Sequence, residues 1–324
     1  MQIPLPQSCR LGAFANCYLC DKTGYVVAQK QLELPCEVKT TSKCAESAVI
    51  TEDENWVVFS GENFKYGFFK PLGHFASIVK NGEEQLFAPI KMSALRAPID
   101  NERKEKGKWY WCCAYETENL DRQSDKIYDV SVEGNELVVK GALAGVSRTP
   151  YFRYTIRYSV SADGVLNVAL DGKIRENCVW LPRFGFEIKV PRNVAEFRYF
   201  GMGPHESYCD MHHGSMIDWY ESDAEKEYVN YIMPQEHGNH FRTKVLEMKN
   251  GLTFESDNME INVSQYSIES LMYSQHQDEL NKSDCTNIRI DYKNSGIGSA
   301  SCGPQLAQKY RLAEKDIHFE FCIK

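Results

Sequence analysis

Tyr151-Phe-Arg-Tyr-Thr-Ile-Arg-Tyr-Ser-Val-Ser-Ala-Asp-Gly-Val-Leu-Asn-Val-Ala-Leu170 reads as a β-hairpin. Apolar and polar residues alternate through Val160, which is the period of a half-buried strand. Ala162-Asp-Gly164 supplies the turn, and residues 165–170 return. Outward from this hairpin the pattern repeats. Residues 126–132 and 136–140 flank Glu133-Gly-Asn135, a second hairpin signal. Toward the N-terminus, strands are expected at 48–60 around Trp56-Val-Val-Phe59, at two places in 63–79 broken by Pro71-Leu-Gly73, and at 83–90. Toward the C-terminus they are expected at 184–190, 196–200, 243–248, 252–256, 260–267, 287–292 and 317–323. Helical periodicity supports only short helices, at 101–111 and 268–280. Strands at roughly 8–12-residue spacing predict an all-β chain folded as a large antiparallel sandwich. Without a repeat of roughly 20–50 residues, a propeller or solenoid is disfavoured.

Residues 1–40 read differently. Thr23 to Pro35 is one strand-like run with no evident local partner, so it is expected to join a sheet elsewhere or to end a domain that begins upstream. Residues 37–47 are polar and linker-like. The whole chain, 324 residues, suits one large all-β domain or two ordinary ones. Its net charge of −8 and lack of a basic stripe exclude a nucleic-acid partner. No run approaches the roughly 18 apolar residues of a membrane-spanning helix. Met1–Arg10 has no apolar core of the signal-peptide kind. The 12 cysteines lack disulfide-framework spacing and read as reduced thiols, so a cytoplasmic location is expected. Cys17-Tyr-Leu-Cys20 has no second CxxC or histidine pair beside it, and a metal role is disfavoured.

The stretch richest in chemistry is Phe200-Gly-Met-Gly-Pro-His-Glu-Ser-Tyr-Cys-Asp210. Gly201, Gly203 and Pro204 force a sharp bend, and His205, Glu206, Tyr208 and Asp210 follow at once. This is either a ligand-facing loop or a polar turn closed by its own hydrogen bonds. Arg96, Asp100 and Asn101 form a second candidate loop, with Arg96 paired to an internal carboxylate as the structural alternative. His212-His213 reads as two surface residues pointing to opposite faces of a strand. Trp109 and Trp111 read as buried core.

Six pieces carry a resemblance. They are Arg96-Ala-Pro-Ile-Asp-Asn101, Leu181-Pro-Arg-Phe-Gly185, Gly201-Met-Gly-Pro-His-Glu-Ser-Tyr-Cys-Asp210, Tyr231-Ile-Met-Pro-Gln-Glu-His-Gly-Asn239, Asn262-Val-Ser-Gln-Tyr266 and Gly296-Ile-Gly-Ser-Ala-Ser-Cys-Gly-Pro304. Together they resemble, in order, the C-terminal domain of the glycoside hydrolase family 2 β-galactosidases. The resemblance implies a galactose-mutarotase-like supersandwich over residues 45–324. It also implies that residues 1–44 are the tail of a preceding immunoglobulin-like domain plus linker. The parent would release terminal β-D-galactose from β-galactosides such as lactose, and would be a homo-oligomer. Retaining hydrolysis needs two carboxylates about 5–5.5 Å apart. By the same resemblance both lie on an upstream TIM barrel, so no catalytic residue is expected here. No cofactor is expected in this chain, and Mg and Na are left to the parent. The substrate-binding residues implied are Arg96, Asp100, Asn101, His205, Glu206, Tyr208, Asp210 and Cys302. Some members carry a tryptophan in the 296–304 loop that stacks on the leaving sugar. Here Ser301-Cys302-Gly303 stands instead, so the aromatic platform is supplied elsewhere or is weaker by about 1 kcal/mol. The alternatives are a free-standing aldose 1-epimerase-like enzyme, with His205 and Glu206 or Glu236 as acid and base, or a carbohydrate-binding module.

Overall fold

A computed structural model describes residues 8–38, 46–102, 105–110, 117–300 and 302–324. The N-terminal piece holds β1 (Ser8–Cys9), β2 (Ala13–Cys20), β3 (Val26–Leu34) and β4 (Glu37–Val38). β2 and β3 form an antiparallel hairpin, so the run from Thr23 to Pro35 does have a local partner, contrary to its reading in sequence. The partner segment, Ala-Phe-Ala-Asn-Cys-Tyr-Leu-Cys, has small and polar residues that obscured its strand character. The hairpin leans on the main body through Gln31, which exchanges hydrogen bonds of 2.9 and 2.8 Å with the Ile217 backbone. The expected division between residues 44 and 45 falls outside the described residues.

A five-stranded antiparallel meander follows: β5 (Val49–Glu52), β6 (Trp56–Ser60), β7 (Phe64–Phe69), β8 (His74–Lys80) and β9 (Glu83–Glu84). The remaining strands make one 12-stranded sheet. They are β10 (Ala88–Ser93), β11 (Gln123–Glu133), β12 (Glu136–Gly145), β13 (Phe152–Val160), β14 (Leu166–Ile174), β15 (Arg183–Pro191), β16 (Glu196–Gly203), β17 (Met216–Asp223), β18 (Asn239–Met248), β19 (Thr253–Ser264), β20 (Cys285–Asn294) and β21 (Asp316–Ile323). The path runs β10-β15-β20-β19-β21-β14-β13-β12-β11, with β16, β17 and β18 branching from β19. Period-two patterning drives this. On β13, Phe152, Tyr154, Ile156, Tyr158 and Val160 are buried while Arg153 and Arg157 are exposed. The meander covers that face, with Phe68 and Phe75 at 5.7 and 5.2 Å from the Tyr158 ring. The expected all-β antiparallel sandwich is what forms.

Three local readings change. Residues 252–256 and 260–267 belong largely to one strand, β19, which runs through the polar Ser256-Asp-Asn258 as an irregularity where its register with β18 shifts. β17 was not legible. It pairs on one side only, with β16, and its Asp218, Trp219 and Glu221 face solvent, so no apolar alternation marks it. The expected helices shrink to short pieces, α1 (Lys106–Trp109) of four residues and α2 (Ile268–Tyr273) of six, each continued or preceded by a 3₁₀ turn. Trp109 is buried as expected, and Trp111 lies outside the described residues.

Gly185 on β15 faces Asp291 on β20, and a Cβ there would overlap the Asp291 main chain. Gly185→Ala should therefore cost about 1–3 kcal/mol through overpacking, read as a lower urea midpoint.

Candidate functional site

Register brings the candidate loops together. Ser93 on β10 pairs with Gly185 on β15, Gly185 with Asp291 on β20, and Asp291 with Glu260 on β19. Asn239, at the start of β18, pairs with Asn262. The segments leaving β10 and β20, and those entering β15 and β18, therefore meet at one end of the sheet.

Beneath them lies a buried lattice of charge. Arg183 donates to Asp291 at 2.9 and 2.6 Å and to Glu236 at 2.9 Å. Arg289 donates to the other Asp291 oxygen at 2.7 Å, and its Nη1 lies 3.0 Å from Glu187. Arg96, wholly buried, pairs with Glu102 and donates to the Ser295 carbonyl at 2.6 Å. Glu260 accepts from the Asn294 N–H at 3.0 Å and from Asn239 Nδ2 at 2.8 Å. The arginines and the carboxylates paired with them are tolerated there where lone ions would not be.

Above this lattice, two side chains grip one stretch of backbone. The Asp210 carboxylate accepts from the Ile297 N–H at 3.0 Å and the Gly298 N–H at 2.8 Å. Asn101 Nδ2 donates to the Ile297 carbonyl at 2.5 Å. Ile99, Tyr208 and Ile297 pack together below them. Gly296 is required there, since a Cβ would sit 2.5 Å from Asp210 Cγ. The root of the 296–304 loop is thus fixed from two sides by residues of two other loops.

The structure places the eight residues named from sequence in three settings. Arg96, Asn101, Tyr208 and Asp210 belong to the grip or its support, and the Asp100 N–H donates to Gln235 Oε1 at 3.0 Å beside it. Arg96 and Tyr208 are fully buried beneath these loops. Glu206 accepts from the Tyr231 hydroxyl and, at 2.9 Å, from the Gly238 N–H, which closes the 231–239 segment onto the 203–210 turn. His205 and Cys302 are exposed, and Ser301 lies outside the described residues. His212 and His213 do not diverge as a strand would make them. They sit in a turn, and their rings stack 4.8 Å apart at 16°.

Arg289, Asp291 and Glu260 were missed in the sequence because polar residues alternating with Ile288 and Ile290 look like a solvent face. Here that face is covered by the 235–238 loop and α2.

Burial pushes the Tyr208 phenol well above its usual range, aided by Glu236 and Glu206, so it stays protonated. Burial, with Glu260 and Asp210 nearby, pushes the Cys209 thiol up to about 12, leaving it unreactive. Burial also raises Glu260 from 4.5 to about 7, against the two donors that favour its charged form. The folded chain then holds this proton more tightly than the unfolded one. Its stabilisation is complete below the ordinary glutamate value and is lost as pH rises through about 7. Unfolding midpoints should therefore fall by about 1–3 kcal/mol equivalent between about pH 5 and about pH 8, and Glu260→Gln should flatten that slope.

Among the described residues no group of three or more His, Cys, Asp and Glu side chains is placed to hold a metal.

A family model described as "Beta galactosidase small chain" matches residues 60–323. Curated relatives include the β-galactosidases of Actinobacillus pleuropneumoniae, 32% identical over 84% of this chain and 27% of that protein, and Staphylococcus xylosus, 30% identical over 85% and 28%. This chain thus spans under a third of the length of the relatives it matches. Solved structures aligned with it include the galactose 1-epimerase from Lactobacillus acidophilus NCFM, at 9% identity and TM-score 0.36 over 87% of this chain and 98% of that one. An aldose epimerase homologue from C. elegans aligns at 7% identity and TM-score 0.42, over 83% and 98%. With its six motifs inside a match that runs over most of its length, the chain belongs to the β-galactosidase small-chain family.

Proposed function

We propose that this chain is the non-catalytic C-terminal part of a β-galactosidase, and that it completes the mouth of an active site whose catalytic carboxylates lie upstream. The observation that carries this reading is the engagement of its own carboxylates. Glu102 is held by Arg96, Glu236 and Asp291 by Arg183, Glu206 by Tyr231 and the Gly238 N–H, and Asp210 by two backbone N–H groups. Each serves to hold structure, which leaves none of these five as a nucleophile and acid pair of the kind retaining hydrolysis requires. The parent protein would cleave terminal β-D-galactose from β-galactosides such as lactose, working as a cytoplasmic homo-oligomer. The residues of this chain would contribute position. Asp210 and Asn101 hold the loop root, and the exposed Asp100, His205 and Cys302 would face the substrate or the upstream barrel.

The mutarotase alternative loses its base. Glu236 is buried against Arg183, and Glu206 is committed to Tyr231 and Gly238. The test is paired kinetics on this chain alone, with a chromogenic β-galactoside and with fresh α-galactose in a polarimeter. Silence in both is expected. Mutarotation above the buffer rate, lost in His205→Ala, would replace this reading with an epimerase.

A further inference from the structure

Cys9 and Cys36 meet at the base of the N-terminal hairpin. β1 and β4 pair in parallel as a two-stranded sheet, with Ser8 opposite Glu37 and Cys9 opposite Val38. Cys36 stands two positions before Val38, and positions two apart share one side of an extended chain. Cys9 and Cys36 therefore project from the same side of this pair. Both are half-buried free thiols. Their side chains are hydrogen-bonded to each other, which holds the Cys9 thiol above its ordinary value, while the Lys244 ammonium nearby pulls the other way.

Other cysteines are placed differently. Cys178 and Cys285 are buried, and Cys209 is enclosed between the Asn294 and Tyr310 carbonyls at 3.7 Å. Cys17 and Cys20 are exposed three positions apart on β2, so they fall on opposite faces. Cys302 is exposed in the 296–304 loop.

Between Cys9 and Cys36 runs the whole β2–β3 hairpin. Its far parts are tied to the main body by Gln31 at the Ile217 backbone, by Glu33 with Arg242 at 2.6 Å, and by the Phe14 ring 6.1 Å from Phe200. Arg10, next to Cys9, pairs with Glu255. At the base, the β1–β4 ladder is only two residues long, so β4 can shift along β1 at little cost. Adjacent strands lie about 4.8 Å apart, within the roughly 4.4–6.8 Å between Cα atoms that a disulfide spans.

We propose that Cys9 and Cys36 form a reversible oxidation site whose disulfide closes the hairpin into a ring at its base. The oxidant is a small-molecule disulfide of the glutathione type. One cysteine loses its proton and attacks a sulfur of the oxidant. A mixed disulfide forms, and one glutathione thiolate leaves. The second cysteine loses its proton and attacks the protein sulfur of that mixed disulfide. The Cys9–Cys36 bond forms, and the second glutathione thiolate leaves. Two electrons have passed from the protein thiols to the oxidant, and the two protons are taken up by the two glutathione thiolates. The ring removes conformations in which the hairpin opens from its base. This site is independent of the galactosidase reading.

The test treats the reduced, folded chain at low concentration with glutathione disulfide, blocks the remaining thiols and maps the peptides by mass spectrometry. The expected product is a Cys9–Cys36 link within one chain, reopened by excess reduced glutathione. Cys36→Ser should stop at a mixed disulfide on Cys9 and form no ring. In the oxidised chain the amides of β2 and β3 should exchange about tenfold more slowly than in the reduced chain, and those of β13 at an unchanged rate. A bond from either cysteine to any other, links found only between chains, or Cys9 and Cys36 still open to blocking after the exposed cysteines have reacted would each overturn the inference. So would a Cys9–Cys36 bond that leaves hairpin exchange unchanged.

Discussion

Arg183→Met should destabilise the chain by about 3–5 kcal/mol, the range for removing one member of a buried ion set. Arg183 is about 1% exposed and holds two carboxylates, Asp291 and Glu236, neither of which reaches water. Methionine fills much of the same volume, so the loss is mainly the uncompensated charge. Arg289 also touches Asp291 and will offset part of that charge, which argues for the lower end of the range. Because Glu236 belongs to the 235–238 loop, that loop should loosen first. Chemical denaturation gives the global value, and hydrogen exchange at Gly238 and Asn239 gives the local one. Arg153→Met is the control, since Arg153 is exposed on β13 and its loss should stay within about 0.5 kcal/mol. Equal midpoints for the two variants would mean that the buried lattice contributes little.

Asp210→Ala should release the 296–304 loop. Two hydrogen bonds to a charged acceptor are lost, each worth about 1.5–3 kcal/mol, and the Ile297 and Gly298 N–H groups are left without their acceptor. The amides of Ile297 and Gly298 should exchange at least tenfold faster, and a protease should cut the loop sooner. Under the proposed function, in which this loop would position substrate at the mouth of an upstream active site, the effect in the assembled parent should fall on KM for lactose more than on kcat. Gly296→Ala approaches the same contact from the other side, since its methyl group would displace the Asp210 carboxylate. The two changes break one interaction. The double variant should therefore be little worse than either single one, and additive losses would show that Asp210 and Gly296 act separately.

The sheet was legible because its strands alternate. The 151–170 hairpin, the turn at Glu133-Gly-Asn135 and the β7–β8 break at Pro71-Leu-Gly73 all fall where sequence periodicity puts them. What escaped reading was what the period-two rule cannot see. β17 pairs on one side with no apolar stripe, and β2 hides its strand character in alanines and cysteines. The site was half legible. Glycines, prolines and titratable groups marked the 200–210 and 296–304 loops, yet nothing local says that Asp210 reaches Ile297, since 87 residues separate them. The charged lattice was misread for a related reason. Arg289 and Asp291 alternate with isoleucines as a solvent-facing row would, and only the loop folded over them makes that row interior.

Under the proposed function this chain supplies position and no catalysis. The most direct measurement of this is complementation. The upstream portion of the parent protein and this chain are purified separately, assayed alone on a chromogenic β-galactoside, and then mixed. The expected result is no turnover by this chain, little by the upstream portion, and activity that rises with mixing and saturates at a fixed ratio. Asp210→Ala should weaken that rescue. Galactoside hydrolysis by this chain alone would contradict the account, and so would full activity of the upstream portion without it.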